Sequence, residues 1–190
     1  MSITFRTEIV LADIDAHGLT LAGSVEPVDL PKISSLVDVA RQDAVAGPDG
    51  AQFHVDVAAD LKVTPMGKPR HWRVSGNIAG SIPLVCQRCL ELTDVDVSGE
   101  IALALVASDV DDDALAAAVP DAERWDHDAE TLVIGDLIDE WILLELPMVV
   151  AHERLEQCGE LAKRLDGAAA QADTQTPFAG LAGLMANKTQ

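Results

Sequence analysis

The sequence has few basic residues, and this shortage limits the partners that the protein can bind. Its 190 residues include 13 Lys and Arg against 32 Asp and Glu, which gives a formal net charge of −19. Proteins that hold nucleic acid obtain most of their affinity from Lys and Arg on phosphates. The composition therefore argues against strong direct nucleic-acid binding and favours a basic protein partner. The alternative that stays open is that the acidity only keeps the protein soluble.

Aromatic residues are also scarce. They make up 3% of the chain and Tyr is absent, although 48% of the residues are hydrophobic. We therefore expect a core built from Val, Leu, Ile and Ala. The length is sufficient for one domain with a true core, with or without a tail.

The chain shows neither a secretory signal nor a membrane span. Residues 1–6 lack a basic start followed by an apolar run, and the most apolar late stretch, residues 132–150, contains several carboxylates. Three cysteines form an odd set, which suits thiols or metal ligands in a reducing compartment better than a disulfide framework. These features predict a cytoplasmic protein with no membrane partner.

Hydrophobic periodicity predicts an α+β fold. Alternating apolar and polar residues predict strands at 3–14, 53–63, 72–85 and 93–106, of which the last three form an antiparallel β-meander. Three- and four-residue spacing predicts two helices. The first is capped by Asp29 and extends to about Val45, and the second spans Asp136–Leu146 and packs on the sheet. The carboxylates of this late helix, Asp139 among them, are expected on its solvated face.

The rest of the chain divides into a linker and a tail. The acidic region 108–128 is expected to be irregular, with a short helical piece near residue 115. The composition shifts after Cys158, which predicts one domain at 1–158 and a mostly flexible tail at 159–190. Near its end, Phe178, Leu181 and Leu184 fall on one side of a helical turn and form a candidate docking motif for a partner.

The three cysteines lie at only two places in the chain. Cys86 and Cys89 form a C-x-x-C pair between two strand patterns, and His152 and Cys158 follow far downstream. Three thiolates and one imidazole are a common ligand set of structural zinc sites. Four protein ligands would leave no position for a reactive water. Free buried thiols without metal remain the alternative.

The evidence for an enzyme is weak, and no catalytic residue is predicted. The chain contains no Gly-rich phosphate loop, no G-x-S-x-G and no H-E-x-x-H. A thioredoxin-type C-x-x-C pair begins a helix, whereas this pair lies between strands. The alternatives to a binding protein are a zinc-handling module and a thiol- or zinc-dependent enzyme.

Four blocks in order resemble the YceD family, the large ribosomal RNA subunit accumulation proteins. They are the Cys-Gln-Arg-Cys-Leu motif at 86–90, the acidic–aliphatic helix ending in Leu146-Pro147, the pair His152 and Cys158, and Pro177-Phe178-Ala179 with Leu181 and Leu184. The resemblance covers residues 74–184.

The resemblance implies a bacterial cytosolic factor for the accumulation or maturation of large-subunit ribosomal RNA. In this family the gene commonly neighbours that of a small zinc-ribbon ribosomal protein, which suggests work in ribosome assembly. Combined with the charge of −19, this implies a basic partner such as a large-subunit ribosomal protein or an rRNA-maturation factor.

Overall fold

The structure, a computed structural model, describes residues 5–45, 54–67, 71–159 and 164. The chain divides into two compact units, Met1–Ala151 and His152–Gln190. The predicted tail at 159–190 and its docking motif lie almost wholly outside the described residues. The boundary at residue 158 therefore stays a prediction.

The described part of the first unit contains eight strands and three α-helices. In chain order they are β1 (Glu8–Val10), β2 (Leu19–Val25), α1 (Pro31–Asp43), β3 (Asp56–Pro65), β4 (Trp72–Val85), β5 (Leu92–Asp96), β6 (Gly99–Val106), α2 (Asp112–Ala118), β7 (Glu123–Asp126), β8 (Thr131–Val133) and α3 (Ile134–Glu145).

Strand β4 is the centre of the larger sheet. The strand order is β2-β3-β4-β6-β7, and β5 also pairs with β4, beyond the end of β6. All of these pairings are antiparallel except that of β6 with β7. A separate two-stranded sheet joins β1 to β8. The fold is α+β, as the hydrophobic periodicity predicts.

The core is aliphatic, as the shortage of aromatic residues predicts. The largest fully buried side chains among the described residues are all Leu or Ile, and they come from strands and helices alike. Strand β3 shows the alternation directly, because Val57, Ala59, Leu61 and Val63 are buried while most residues between them are exposed. The buried face of this sheet packs with the apolar faces of α1 and α3 in one cluster.

The structure corrects several predicted strands. The stretch predicted at 93–106 is two strands, because β5 pairs with the end of β4 at Ser81–Val85 and β6 pairs with its start at Trp72–Ile78. The first predicted strand is shorter than expected, since only Glu8–Val10 is extended within the described residues and a 3-10 turn follows. Strands β2, β7 and β8 were not predicted. The short helix predicted near residue 115 is confirmed as α2.

The predicted cap of α1 by Asp29 is wrong. Asp29 lies before this helix and closes a 3-10 turn, where its Oδ2 accepts a hydrogen bond from the Glu26 N–H at 3.1 Å. The N-cap residue of α1 is Leu30, whose side chain makes no capping bond. Instead, the carboxylate of Asp139 accepts the N–H groups of Lys32 and Ile33, at 2.8 and 2.9 Å. Asp139 is fully buried, so its expected place on the solvated face of α3 is also wrong.

Candidate metal centre

The C-x-x-C pair lies in the tight connection between β4 and β5. The Cys86 N–H donates to the Glu91 carbonyl and the Leu90 N–H donates to the Cys86 carbonyl, both at 2.8 Å. Leu90 has a φ of 61°, a left-handed conformation that allows the chain to turn back within a few residues. The side chains of Cys86 and Cys89 are buried, with 0% and 1% exposure.

Two segments of the first unit that are far from the cysteine turn in the sequence form main-chain hydrogen bonds with it. The Val45 N–H, beyond the end of α1, donates to the Leu90 carbonyl at 2.8 Å. The Gln87 N–H donates to the Val150 carbonyl at 2.8 Å. The segment after α3 therefore runs beside the turn, and His152 follows Val150 by two positions in the sequence.

The second unit begins with a compact loop that brings His152 and Cys158 together. A 3-10 turn at Leu155–Gln157 reverses the chain, with Gln157 Oε1 accepting the Arg154 N–H at 2.9 Å. The Cys158 N–H then donates to the Leu155 carbonyl at 3.0 Å. As a result, Cys158 Sγ lies 3.6 Å from His152 Nδ1. The 3-10 turn lies within the five residues that separate His152 from Cys158 in the sequence.

The four predicted ligands form one cluster. The Sγ atoms of Cys86, Cys89 and Cys158 and a ring nitrogen of His152 all lie within 4.8 Å of one another. A tetrahedral zinc site with Zn–S bonds of about 2.3 Å separates its sulfur atoms by roughly 3.8 Å. The donor set and its spacing therefore fit a zinc ion, and the cluster could hold one. The three cysteines are buried and His152 is half-buried.

Sequence reasoning missed the backbone that shapes the site. The left-handed Leu90 has no signal in the sequence, because this conformation is uncommon for a residue with a branched side chain. The bond between Gln87 and Val150 likewise involves only main-chain atoms. The other predicted set of site residues, the docking motif of Phe178, Leu181 and Leu184, lies outside the described residues.

A comparison with protein families matches residues 74–185, more than half of the chain, to the family described as large ribosomal RNA subunit accumulation protein YceD. The chain belongs to the YceD family. The match begins within β4 and contains all four residues of the cluster. The name of the family connects it with the accumulation of large-subunit ribosomal RNA.

No curated protein and no solved structure matches the chain. In the part of the chain that the structure describes, no helix is long and apolar enough to cross a membrane.

Proposed function

We propose that this YceD-family chain is an accessory factor for the accumulation or maturation of large-subunit ribosomal RNA, or for ribosome assembly, and that it acts by binding proteins rather than by catalysis. The observation that carries the proposal is the family match over residues 74–185. That match includes the cysteine turn, α3 and the segment of the candidate docking motif. The expected place of action is the cytoplasm.

The charge of the chain supports a protein partner. An excess of 19 negative charges repels the phosphate backbone of RNA and attracts basic proteins over distances of about a Debye length, roughly 8–10 Å at physiological salt. Ribosomal proteins and rRNA-maturation factors that hold RNA carry the complementary charge. We therefore propose that the chain reaches the ribosomal precursor through such a protein and makes no strong direct contact with RNA.

The proposed docking element is the motif of Phe178, Leu181 and Leu184 near the end of the chain. A short apolar motif at helical spacing is a common way to occupy a groove on a partner. In this proposal residues 1–158 form the folded domain and residues 159–190 present the motif.

The proposed cofactor is one structural zinc ion held by Cys86, Cys89, His152 and Cys158. Bound zinc would supply folding energy by holding the three thiolates and the imidazole at fixed positions. The chain itself contributes the turn that places Cys86 beside Cys89 and the loop that places His152 beside Cys158. A set of four protein ligands leaves no open position for a substrate, which supports a structural role over a thiol- or zinc-dependent enzyme.

Affinity purification of the tagged full chain from its native host tests this function. Lysates are divided, one half is treated with nuclease, and the proteins that co-purify are identified by mass spectrometry. We expect large-subunit ribosomal proteins or maturation factors to persist after nuclease treatment. Recovery that disappears with nuclease would mean that RNA bridges the contact and would overturn the protein-partner mechanism.

A matched variant tests the docking element in the same experiment. The triple variant F178A/L181A/L184A should lose most of the recovered partner. Replacement of polar residues of the same region, Gln171→Ala and Gln175→Ala, should leave recovery unchanged. Equal recovery with both variants would assign the binding to another surface.

A further inference from the structure

Half of strand β6 has a free edge. On one side, Gly99–Leu105 pairs with β4. On the other side, β7 pairs only with Leu103–Val106. Within the described residues no strand lies beside Gly99–Ala102 on that side. Because the backbone groups of an antiparallel strand point alternately to its two sides, some N–H and C=O groups of this segment face outward.

A groove of about 390 Å³ lies beside this free edge. Its lining includes three glutamates from three different elements: Glu100 on β6, Glu123 at the start of β7 and Glu145 at the end of α3. Ala102 and Trp141 supply apolar surface in the same lining. The groove therefore combines backbone hydrogen-bonding groups, apolar surface and carboxylates, which together suit a peptide better than an isolated ion.

The charge of the groove is strongly negative. Arg73, the cation among the described residues of its lining, is already paired, because its guanidinium donates to both carboxylate oxygens of Asp121 at 3.0 and 2.6 Å. Within the described part of the chain, Glu100, Glu123 and Glu145 form no ion pair. Four carboxylates against one guanidinium leave an excess of three negative charges. A basic ligand would offset this charge, whereas phosphate would be repelled.

Two of the four residues at the free edge are small. Gly99 has no side chain, and a Cβ there would lie 2.9 Å from Cη2 of Trp141. The tryptophan ring thus packs directly under the strand at this point, and Ala102 is the other small residue of the segment. No bulky side chain of Gly99 or Ala102 blocks the approach of another strand.

We propose that an extended segment of a partner protein, bearing Lys or Arg at alternate positions, adds as a strand to the free edge of β6 at Gly99–Ala102. Main-chain hydrogen bonds along the edge supply affinity in this mode of recognition, and alternate side chains supply specificity. Basic side chains on one face of the segment, roughly 7 Å apart, reach Glu123 and Glu145. Glu100 lies on the opposite face of β6 and adds to the negative charge that attracts the segment. This surface is separate from the C-terminal motif, and the inference rests on the proposed function only in taking the partner to be a basic protein.

A peptide-binding assay with the purified full chain tests the inference. The probe is a fluorescein-labelled octapeptide of alternating Lys and Thr, and binding is followed by fluorescence anisotropy at physiological salt. We expect E100Q/E123Q/E145Q to weaken binding by about tenfold. The matched control D13N/D43N/D56N removes three exposed carboxylates elsewhere and should weaken it by less than about twofold. If both triple variants weaken peptide binding equally, the peptide is attracted only by the overall negative charge of the protein. That result would contradict a specific binding site in the groove.

Two further measurements test strand addition itself. The same octapeptide with N-methyl groups on alternate backbone nitrogens cannot donate along one edge, so we expect its binding to fall by about tenfold. Hydrogen exchange at Gly99–Ala102 should slow when the unmethylated peptide is bound. Equal binding of the methylated peptide, or unchanged exchange, would contradict strand addition. Circular dichroism and urea unfolding establish that each variant is folded before its binding is compared.

The assay is independent of the ribosome, so its failure and that of the proposed function are distinguishable. Groove binding without co-purified ribosomal proteins would support the surface and contradict the function. Co-purified ribosomal proteins that persist with E100Q/E123Q/E145Q, together with no peptide binding, would support the function and contradict the surface.

Discussion

The carboxylate of Asp139 caps helix α1 through the N–H of Ile33, which lies 106 positions earlier in the chain. Its second oxygen accepts the N–H of Lys32. The first N–H groups of a helix have no partner within the helix, and the negative charge also suits the positive end of the helix dipole. A buried side chain of α3 therefore completes the start of α1.

Replacement of Asp139 by Ala should destabilise the protein strongly. The change leaves the buried N–H of Ile33 and the part-buried N–H of Lys32 without acceptors, and we expect a loss of roughly 2–4 kcal/mol in the free energy of unfolding measured with urea. The matched control is Glu140→Gln, which removes the neighbouring ion pair with Lys32. That pair is about half exposed, so its loss should cost less than about 1 kcal/mol. Similar losses for the two variants would contradict the capping role.

The pair of Arg73 and Asp121 should be visible in an NMR titration. The hydrogen bond from the Arg73 guanidinium holds the pKa of the Asp121 carboxyl below its usual range. A carboxyl with a lowered folded-state pKa adds stability that is present above its unfolded-state pKa and is lost as the pH falls through the folded-state value. We therefore expect Arg73→Gln to raise the pKa of Asp121 and to reduce the loss of stability in acid.

A reciprocal control exists at Asp96, whose pKa is lowered chiefly by a hydrogen bond from the Ser98 side chain. Ser98→Ala should raise the pKa of Asp96 and leave that of Asp121 unchanged. Arg73→Gln should have the opposite selectivity. If either variant shifts the pKa of both carboxyls equally, the lowered pKa values come from the overall charge of the protein and not from these hydrogen bonds.

The zinc proposal predicts a metal content of about one ion per chain, measured by elemental mass spectrometry on protein purified without chelator. Cys86→Ser and His152→Ala should each reduce the zinc content and the melting temperature, because metal binding is coupled to folding. His17→Ala is the control, since His17 is exposed and belongs to no such cluster among the described residues. Full zinc content in both cluster variants would contradict the proposed ligand set.

The contact between Gly99 and Trp141 predicts a coupled pair of mutations. Gly99→Ala forces a methyl group to 2.9 Å from the tryptophan ring, and we expect a loss of about 1–3 kcal/mol. Trp141→Phe removes the part of the ring that is in the way. In a double-mutant cycle, Gly99→Ala should therefore cost less when Trp141→Phe is already present. Additive losses would mean that the ring does not limit residue 99.

The sequence predicts those elements whose signal is local. Helix α3 begins within two residues of its predicted start, because its apolar residues repeat with the helical period and Pro147 ends it. The four metal-ligand candidates could also be chosen without a structure, since the chain has only three cysteines.

The errors arise where distant parts of the chain decide the outcome. The stretch at 93–106 favours strand throughout, so only its pairing with two different parts of β4 shows the break near Val97. Asp139 has the polarity of a surface residue, and its burial depends on a helix more than a hundred positions away that lacks a cap of its own. Tertiary context of this kind overrides local preference.

The cap at Asp139 also bears on the order of events during synthesis. The ribosome makes α1 long before it makes α3, and the partner of β1, strand β8, is likewise made late. The amino-terminal region therefore leaves the exit tunnel without the groups that complete it, and its contacts close only after most of the domain has emerged. Long sequence separation between contacting residues slows folding. A nascent chain of this protein should thus remain exposed to chaperones and proteases until translation has passed α3.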